Sequence, residues 1–502
     1  MVDLFTILMN LLNPQTIAAI IAAALYGLFI GSMPGLTATM AAALLVPFAF
    51  WMDPLPALAM IITMDALAIY SGDIPATLIR IPGTPASAAY VQEMYEATKR
   101  GRAEVALGTG LVCSALGGII GTIVLVLGGP MLAEFAMNFS SAEFFWLTVF
   151  GLSTAVIAAK GKSITKSALA LLLGLLLSTI GVDPMYQFPR FTFGSPYLLA
   201  GINFIPAMIG LFGISEILRQ VSTYIELGKF EIKIPVEELS ATRMFKKAFG
   251  TLKKFIDKFA IGSALGVIIG ALPGAGADIA AWISYGVARQ LSKFKEKFGK
   301  GYMEGIVAAT TANNSSLAGA WIPALVFGIP GDSVAAIVIG VLMMKGITPG
   351  PRIFIDQAIL VYTLFAVFFL ANIIMVPLGY VAIKSLVRVF LKTPRKYITP
   401  LILAFCIIGS YAIRLSMMDV LVMLILGVIG YIMEKNDFPV APLILGLILG
   451  PLMEIYFMMT ARKALGDPLI FVSRPLSMVI IALIIITWMS PLISKILRKI
   501  RQ

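Results

Sequence analysis

Four Pro-Gly breaks carry the polar chemistry of this chain. They are Met33-Pro34-Gly35 and Ile81-Pro82-Gly83-Thr84-Pro85 in the first half, and Leu272-Pro273-Gly274-Ala275-Gly276 and Ile329-Pro330-Gly331-Asp332-Ser333 in the second. Small, hydroxyl or acidic side chains accompany each: Thr37 and Thr39, Thr84 and Ser87, Asp278, Asp332 and Ser333. A helix restarting after a break presents free N–H groups and a positive dipole end, which suit a carboxylate. The carbonyls and hydroxyls freed by the break suit a hard cation such as sodium. The candidate substrate-binding residues are therefore Pro34, Gly35, Thr37, Arg80, Pro82, Gly83, Thr84, Pro273, Gly274, Asn313, Asn314, Ser315, Pro330 and Gly331. Thr39, Asp73, Asp278, Asp332 and Ser333 are candidates for holding a coupling sodium ion or proton.

Asn313-Asn314-Ser315-Ser316 is the most polar tetrad inside an apolar stretch. Its side chains can donate to a ligand carboxylate or coordinate an ion, or they can hydrogen-bond between packed helices. Asp65, Asp73, Asp278 and Asp332 are the carboxylates nearest the breaks. Buried, each needs a cation or a proton; at a hairpin tip, water suffices. Arg80 has two readings as well. Its guanidinium can grip a carboxylate with two parallel bonds, or it can snorkel to the surface or pair with Asp73.

Histidine is absent from all 502 residues. That removes His-based triads, zinc-type His ligation and His proton relays, so proton coupling would fall to carboxylates. Gly161-Lys162-Ser163 resembles the end of a phosphate loop, but Val156 stands where its first glycine belongs, so no ATPase motif exists. Cys113 and Cys406 lie within apolar runs, where no structural disulfide is expected. An enzyme is not the expectation, nor is any cofactor beyond a coupling ion.

The elements that must position these residues are membrane helices. The hydrophobic fraction is 59% and the charged fraction 13%, about half the charge of a soluble domain (roughly 25%). Runs near the roughly 20 residues needed to cross a bilayer recur from end to end. Hydropathy places spans near 15–31, 37–52 and 55–72, a re-entrant hairpin near 74–98, and spans near 104–129, 142–158, 164–181 and 199–217. The pattern returns as 259–273, 277–291, 302–318, a hairpin near 322–344, then 357–384, 398–414, 417–433 and 440–458, with an extra helix near 476–494. Gly31-Ser-Met-Pro-Gly-Leu-Thr-Ala-Thr-Met-Ala-Ala42 matches Gly270-Ala-Leu-Pro-Gly-Ala-Gly-Ala-Asp-Ile-Ala-Ala281. Ile74-Pro-Ala-Thr-Leu-Ile-Arg-Ile-Pro-Gly83 matches Ile322-Pro-Ala-Leu-Val-Phe-Gly-Ile-Pro-Gly331. Matched breaks in two halves point to a secondary transporter whose site lies where broken helices meet.

Loop charge sets orientation, because cytoplasmic loops collect Lys and Arg. The loop at Asp53 has no base, whereas its counterpart holds Arg289, Lys293, Lys295, Lys297 and Lys300. Lys99, Arg100 and Arg102 face a counterpart with only Arg352 after Lys345. The segment with Glu134 is matched by Lys384, Arg388, Lys392, Arg395 and Lys396, and Lys160, Lys162 and Lys166 by Arg414 and Asp419 alone. All four comparisons invert, which implies an inverted-topology repeat. Asp3 and the lack of any base before Arg80 speak against a cleavable signal peptide and place the N-terminus outside; Lys495, Arg498, Lys499 and Arg501 place the C-terminus in the cytoplasm.

The expected fold is an all-α polytopic membrane protein of about 12–15 membrane segments, with two inverted repeats and re-entrant hairpins. Residues 1–218 form the first repeat, 219–258 a basic connector, 259–460 the second repeat and 461–502 an extra helix with a basic tail. Arg219, Lys229, Lys233, Arg243, Lys246, Lys247, Lys253, Lys254 and Lys258 alternate in the connector with Leu, Met and Phe. That pattern suits an amphipathic arm on the cytoplasmic membrane surface, or a solvated linker. Net charge of +12 is a topology signal here, and no nucleic-acid module is present.

The Gly-x-x-Pro-Gly block, the Ile-Pro-Gly-Thr-Pro hairpin, the run Gly181-Val-Asp-Pro-Met-Tyr-Gln-Phe-Pro-Arg-Phe-Thr-Phe-Gly194, and Ala312-Asn-Asn-Ser315 with Gly328-Ile-Pro-Gly331 together resemble the large membrane subunit (TctA) of tripartite tricarboxylate transporters. The likeness covers nearly the whole chain. It implies a cation-coupled permease for citrate-like or other organic carboxylates, tricarboxylate or dicarboxylate, working with a small membrane subunit and a periplasmic solute-binding protein. Arg80 stands where the family pattern has asparagine, and Asp65 and Asp73 add acid, so citrate itself is not implied. Sodium symport by alternating access of an elevator type is the leading expectation; a channel or uniporter for small anions built on the same breaks is the alternative. A homodimer in the bilayer is compatible with either.

Overall fold

In lipid every backbone polar group must find an internal partner, so apolar runs of this length can only become helices. The computed structural model describes residues 3–33, 36–159, 163–183, 185–226, 240–386 and 395–500, and 80% of the structure is helical. Pro34, Gly35, Lys160, Lys162, Lys229, Lys233, Arg388, Lys392 and Arg501 lie outside the described residues.

In chain order the helices of the first half are α1 (Leu4–Leu11), α2 (Pro14–Gly31), α3 (Ala38–Trp51), α4 (Pro54–Ser71), α5 (Asp73–Ile79), α6 (Val91–Lys99), α7 (Ala103–Ala136), α8 (Ser141–Ala158), α9 (Ile164–Ser178), α10 (Phe204–Met208) and α11 (Ser215–Glu226). The connector contributes α12 (Ala241–Lys254). The second half follows with α13 (Ile256–Gly270), α14 (Gly276–Leu291), α15 (Met303–Phe327), α16 (Ser333–Met344), α17 (Ile353–Asp356), α18 (Ala358–Val381), α19 (Arg395–Arg414), α20 (Met417–Lys435), α21 (Val440–Ala464) and α22 (Pro475–Ile500). Six stretches among the described residues are long and apolar enough to cross a membrane: Pro14–Gly31, Pro54–Ile79, Ala103–Ala136, Ala358–Lys384, Met417–Lys435 and Val440–Ala464. The protein is an all-α, multi-pass membrane protein.

Packing pairs the halves element by element. Gly27 and Gly31 of α2 lie against the carbonyls of Met64 and Ala68 on α4, and Gly262, Gly266 and Gly270 of α13 lie against Ala308, Ala312 and Ser316 on α15. Small residues let helix backbones approach where lipid offers no hydrophobic gain. The halves also exchange partners: α7 packs along α15, α18 along α4, α21 along α8 and α9, and the α10–α11 segment along α19 and α20.

Three boundaries differ from the sequence reading. The first arm of each hairpin is the end of the preceding helix rather than a separate element. Ile322 and Pro323 sit inside the unbroken α15, and the rod Pro54–Ile79 is interrupted only where α4 passes into α5 at Gly72. A proline removes one backbone bond, but that need not end a helix held by neighbours on all sides. The expected span 199–217 is instead a short α10, a π turn at Ile209–Ile214 and α11. In the connector, Met244, Ala248 and Leu252 of α12 recur every four residues and are buried against α7 and α13, while Arg243 bonds Glu104 at 2.8 Å. The apolar stripe that suggested a membrane surface is covered by protein.

Candidate functional site

A cavity of about 410 Å³ lies where the chain is broken. All four breaks reach it. Thr37, Ala38 and Thr39 come from the start of α3; Thr84, Pro85 and Ala86 from the first hairpin tip; Gly274 to Ile279 from the start of α14; and Asp332, Ser333 and Val334 from the second tip. Each contribution is fixed locally. The Thr37 hydroxyl caps α3 by accepting from the Met40 N–H at 3.1 Å, and the Asp332 carboxylate caps α16 by accepting from the Ala335 N–H at 2.7 Å. At the first tip the Ser87 hydroxyl donates to the Thr84 carbonyl at 2.8 Å, and the Gly83 N–H donates to the Gly72 carbonyl at 3.1 Å.

The two halves present different chemistry at equivalent places. In the matched blocks Thr39 corresponds to Asp278 and Thr84 to Asp332, so at these two places the first half offers a hydroxyl to the cavity and the second half a carboxylate. Asp65 on α4 adds a third carboxylate; it is 4% exposed and its Oδ1 has no partner among the described residues. The rim is built by Phe212, Glu216 and Arg219 on the α10–α11 segment, Glu434 at the end of α20, and Pro439 to Ala441 leading into α21. Arg219 and Glu216 pair at 2.5 Å. Five carboxylates and one guanidinium thus line the cavity.

Of the residues singled out in the sequence, Thr37, Thr39, Thr84, Gly274, Asp278, Asp332 and Ser333 meet here. Pro82, Gly83, Pro273, Pro330 and Gly331 shape the turns behind the wall, and Pro34 and Gly35 lie outside the described residues. Arg80 is exposed, in left-handed backbone conformation at the end of α5, its guanidinium 5.9 Å from the Tyr95 ring centroid and off the cavity wall. The tetrad is buried within helix packing. Asn313 donates to the Tyr90 hydroxyl at 3.3 Å, Asn314 to the Ala66 carbonyl at 3.3 Å, Ser315 to the Ala312 carbonyl at 3.3 Å and Ser316 to the Asn313 carbonyl at 2.7 Å. Asp73 is buried beside it, its Oδ1 accepting from the Tyr90 hydroxyl at 2.6 Å. Sequence reasoning did not reach Glu216 or Glu434 and read Arg219 only as a base of the connector; their position at span ends beside the connector and the 434–439 loop was the signal.

The profile described as "Tripartite tricarboxylate transporter TctA family" matches residues 17–445. A protein of Agrobacterium vitis, described as an uncharacterized 52.8 kDa protein in the TAR-I ttuC' 3' region, is 32% identical over 471 residues, covering 94% of this chain and 92% of that protein. A second protein of Agrobacterium vitis, from the TAR-II ttuC' 3' region, is 34% identical over 204 residues, 41% of this chain and 84% of that protein. No solved structure matches significantly.

Proposed function

The chain belongs to the tripartite tricarboxylate transporter TctA family, and from that premise we propose that it is the permease through which an organic carboxylate crosses the membrane together with a cation, sodium first among them. Transporters of this family include a small membrane subunit and a periplasmic solute-binding protein. The observation that carries the reading is the convergence of all four breaks on one cavity. A carboxylate of the substrate lies at the start of α3 and the first hairpin tip, where Thr37, Thr39 and Thr84 donate and where leading helical N–H groups have no intrahelical acceptor. Cations lie at Asp278, Asp332, Ser333 and Asp65 of the same cavity. An anion cannot enter a cavity lined by five carboxylates and one arginine without cations to offset the repulsion. Coupling follows from that charge balance.

Transport proceeds by alternating access of an elevator type, the hairpins moving with the cavity between them. Glu216, Arg219 and Glu434 sit at span ends that loop charge assigns to the cytoplasm, which supports reading this state as inward-facing. The test is thermal unfolding of purified protein against carboxylates, amino acids and sugars, with sodium or with choline. A carboxylate is expected to raise the melting temperature, and more so in sodium, because a ligand of the folded state stabilises it by mass action. Stabilisation by sugars or amino acids alone, or a carboxylate response indifferent to sodium and to protons, would overturn the reading.

A further inference from the structure

A second polar cluster lies behind the first hairpin tip, outside the cavity. Asp73 is completely buried. Its Oδ1 accepts the Tyr90 hydroxyl, and among the described residues its Oδ2 has no partner. Tyr90 in turn accepts from the Asn313 amide nitrogen, which leaves the Asn313 Oδ1 buried and without a partner as well. The wall opposite Asp73 Oδ2 is Gly110 of α7, where a β-carbon would lie only 3.0 Å from that oxygen. Both unpaired atoms are acceptors; the Tyr90 hydroxyl proton is already given to Asp73, and the nearby buried Tyr70 hydroxyl bonds to neither of them.

We infer that Asp73, Asn313 and the Tyr90 hydroxyl oxygen hold a monovalent cation at a site separate from the substrate cavity. A carboxylate buried in apolar surroundings without a positive charge is costly, and a hard cation prefers just such carboxylate and amide oxygens. One carboxylate balances one positive charge, whereas divalent ions recruit more acidic ligands. A proton on Asp73 would neutralise it but leave Asn313 Oδ1 unsatisfied. The ion also reaches the cavity indirectly. Asp73 follows Gly72, whose carbonyl receives the Gly83 N–H and whose α-carbon backs onto Thr84, so filling the site fixes the tip that lines the cavity. This deepens the transport reading and rests on it only for the coupling role; the ion site stands or falls independently.

The experiment is substrate-free thermal unfolding of the purified full chain in NaCl, KCl or LiCl against choline chloride at constant ionic strength. It uses an Asp65→Asn/Asp278→Asn/Asp332→Ser background that removes the three cavity carboxylates assigned to cation binding. At least one alkali cation is expected to raise the melting temperature saturably. Asp73→Asn should abolish that rise, and Asn313→Ala and Tyr90→Phe should each raise the concentration for half-effect at least tenfold. An absent response in the background protein, or one that survives Asp73→Asn, overturns the proposal; if Asp73→Asn does not fold, an unshifted half-effect concentration in both Asn313→Ala and Tyr90→Phe does so. A parent protein that shows this cation response but no stabilisation by any carboxylate would sink the transport reading alone.

Discussion

A β-carbon on Gly331 would lie 2.3 Å from the carbonyl oxygen of Gly270. The second hairpin tip therefore rests directly on the end of α13, at the break that opens the cavity. The first half repeats the relation, with Gly83 set 2.2 Å by the same measure from the carbonyl of Gly31. The matched glycines of the sequence are matched because each tip must seat on a helix end with no side chain between them.

Gly331→Ala should consequently destabilise the protein. Overpacking costs about 1–3 kcal/mol, and the obstacles here, the Gly270 carbonyl and Ala320 at 2.6 Å, include backbone that cannot rotate away. Gly286→Ala on α14 meets nothing within 4 Å and should be neutral or stabilising by about 0.5–1 kcal/mol. Melting temperatures of the two variants, purified in parallel, decide it; equal stability would mean that the tip is loosely seated.

Asp332 does two jobs that one substitution separates. Asp332→Ser keeps an oxygen to cap α16 but removes the charge from the cavity, and should fold as the parent does while binding the coupling cation at least tenfold more weakly. Asp332→Ala loses the cap as well, costing a further ~0.5–2 kcal/mol. Sodium titrations of both, read by melting temperature and by uptake in proteoliposomes, separate the effects; unchanged cation dependence in Asp332→Ser would place the coupling ion elsewhere.

Glu93 on α6 gathers the 299–302 loop of the other half. It accepts from the Gly301 and Tyr302 N–H groups at 2.7 Å each, from the Gly299 N–H, and from the Tyr285 hydroxyl at 2.8 Å. Bonds to a charged acceptor are worth about 1.5–3 kcal/mol, so Glu93→Ala should free this loop. The exposed Lys293, Lys295, Lys297 and Lys300 should then be cut by trypsin several-fold faster. An unaltered cleavage rate would show that the loop is held by other contacts.

The inversion of loop charge between the two halves predicts opposite sidedness for equivalent loops. Cys113 and Cys406 are buried and free, so a membrane-impermeant maleimide has little native background. Asp53→Cys should label on intact cells, and Lys297→Cys only after permeabilisation. Labelling of both from one side would remove the inversion.

Acid should loosen the 181–190 turn before the helices respond. The Tyr186 and Met185 N–H groups bonded to Asp183, each at 2.7 Å, hold its carboxyl below the usual carboxylate range, with Arg190 alongside at 3.3 Å. A group whose pKa is lower folded than unfolded lends stability above its unfolded value, near 3.9, and loses it as pH falls through the folded value. Melting temperature should therefore decline below about pH 4, and less steeply in Asp183→Asn. Parallel curves for the two proteins would assign the acid sensitivity to other carboxylates.

How far the site was legible depends on whether a residue sits at a break or inside a rod. Thr37, Thr39, Thr84, Asp278, Asp332 and Ser333 were readable because proline and glycine end a helix locally, and whatever follows the break must cap the next one. The same local rule carried the helical membrane fold and the pairing of the halves. Within the long rods the sequence is apolar on every side, so no periodicity says which face meets the cavity. Asp65 and Asn313 each lie nine residues before the matched Ile74 and Ile322, yet Asp65 lines the cavity while Asn313 turns to Tyr90. Packing alone made that choice, as it did when it left Arg80 on the surface and brought Glu216, Arg219 and Glu434 to the rim from distant segments. Residue types and breaks thus fixed which chemistry is available; the facing of each buried helix, set by contacts between residues hundreds of positions apart, decided where that chemistry is brought together.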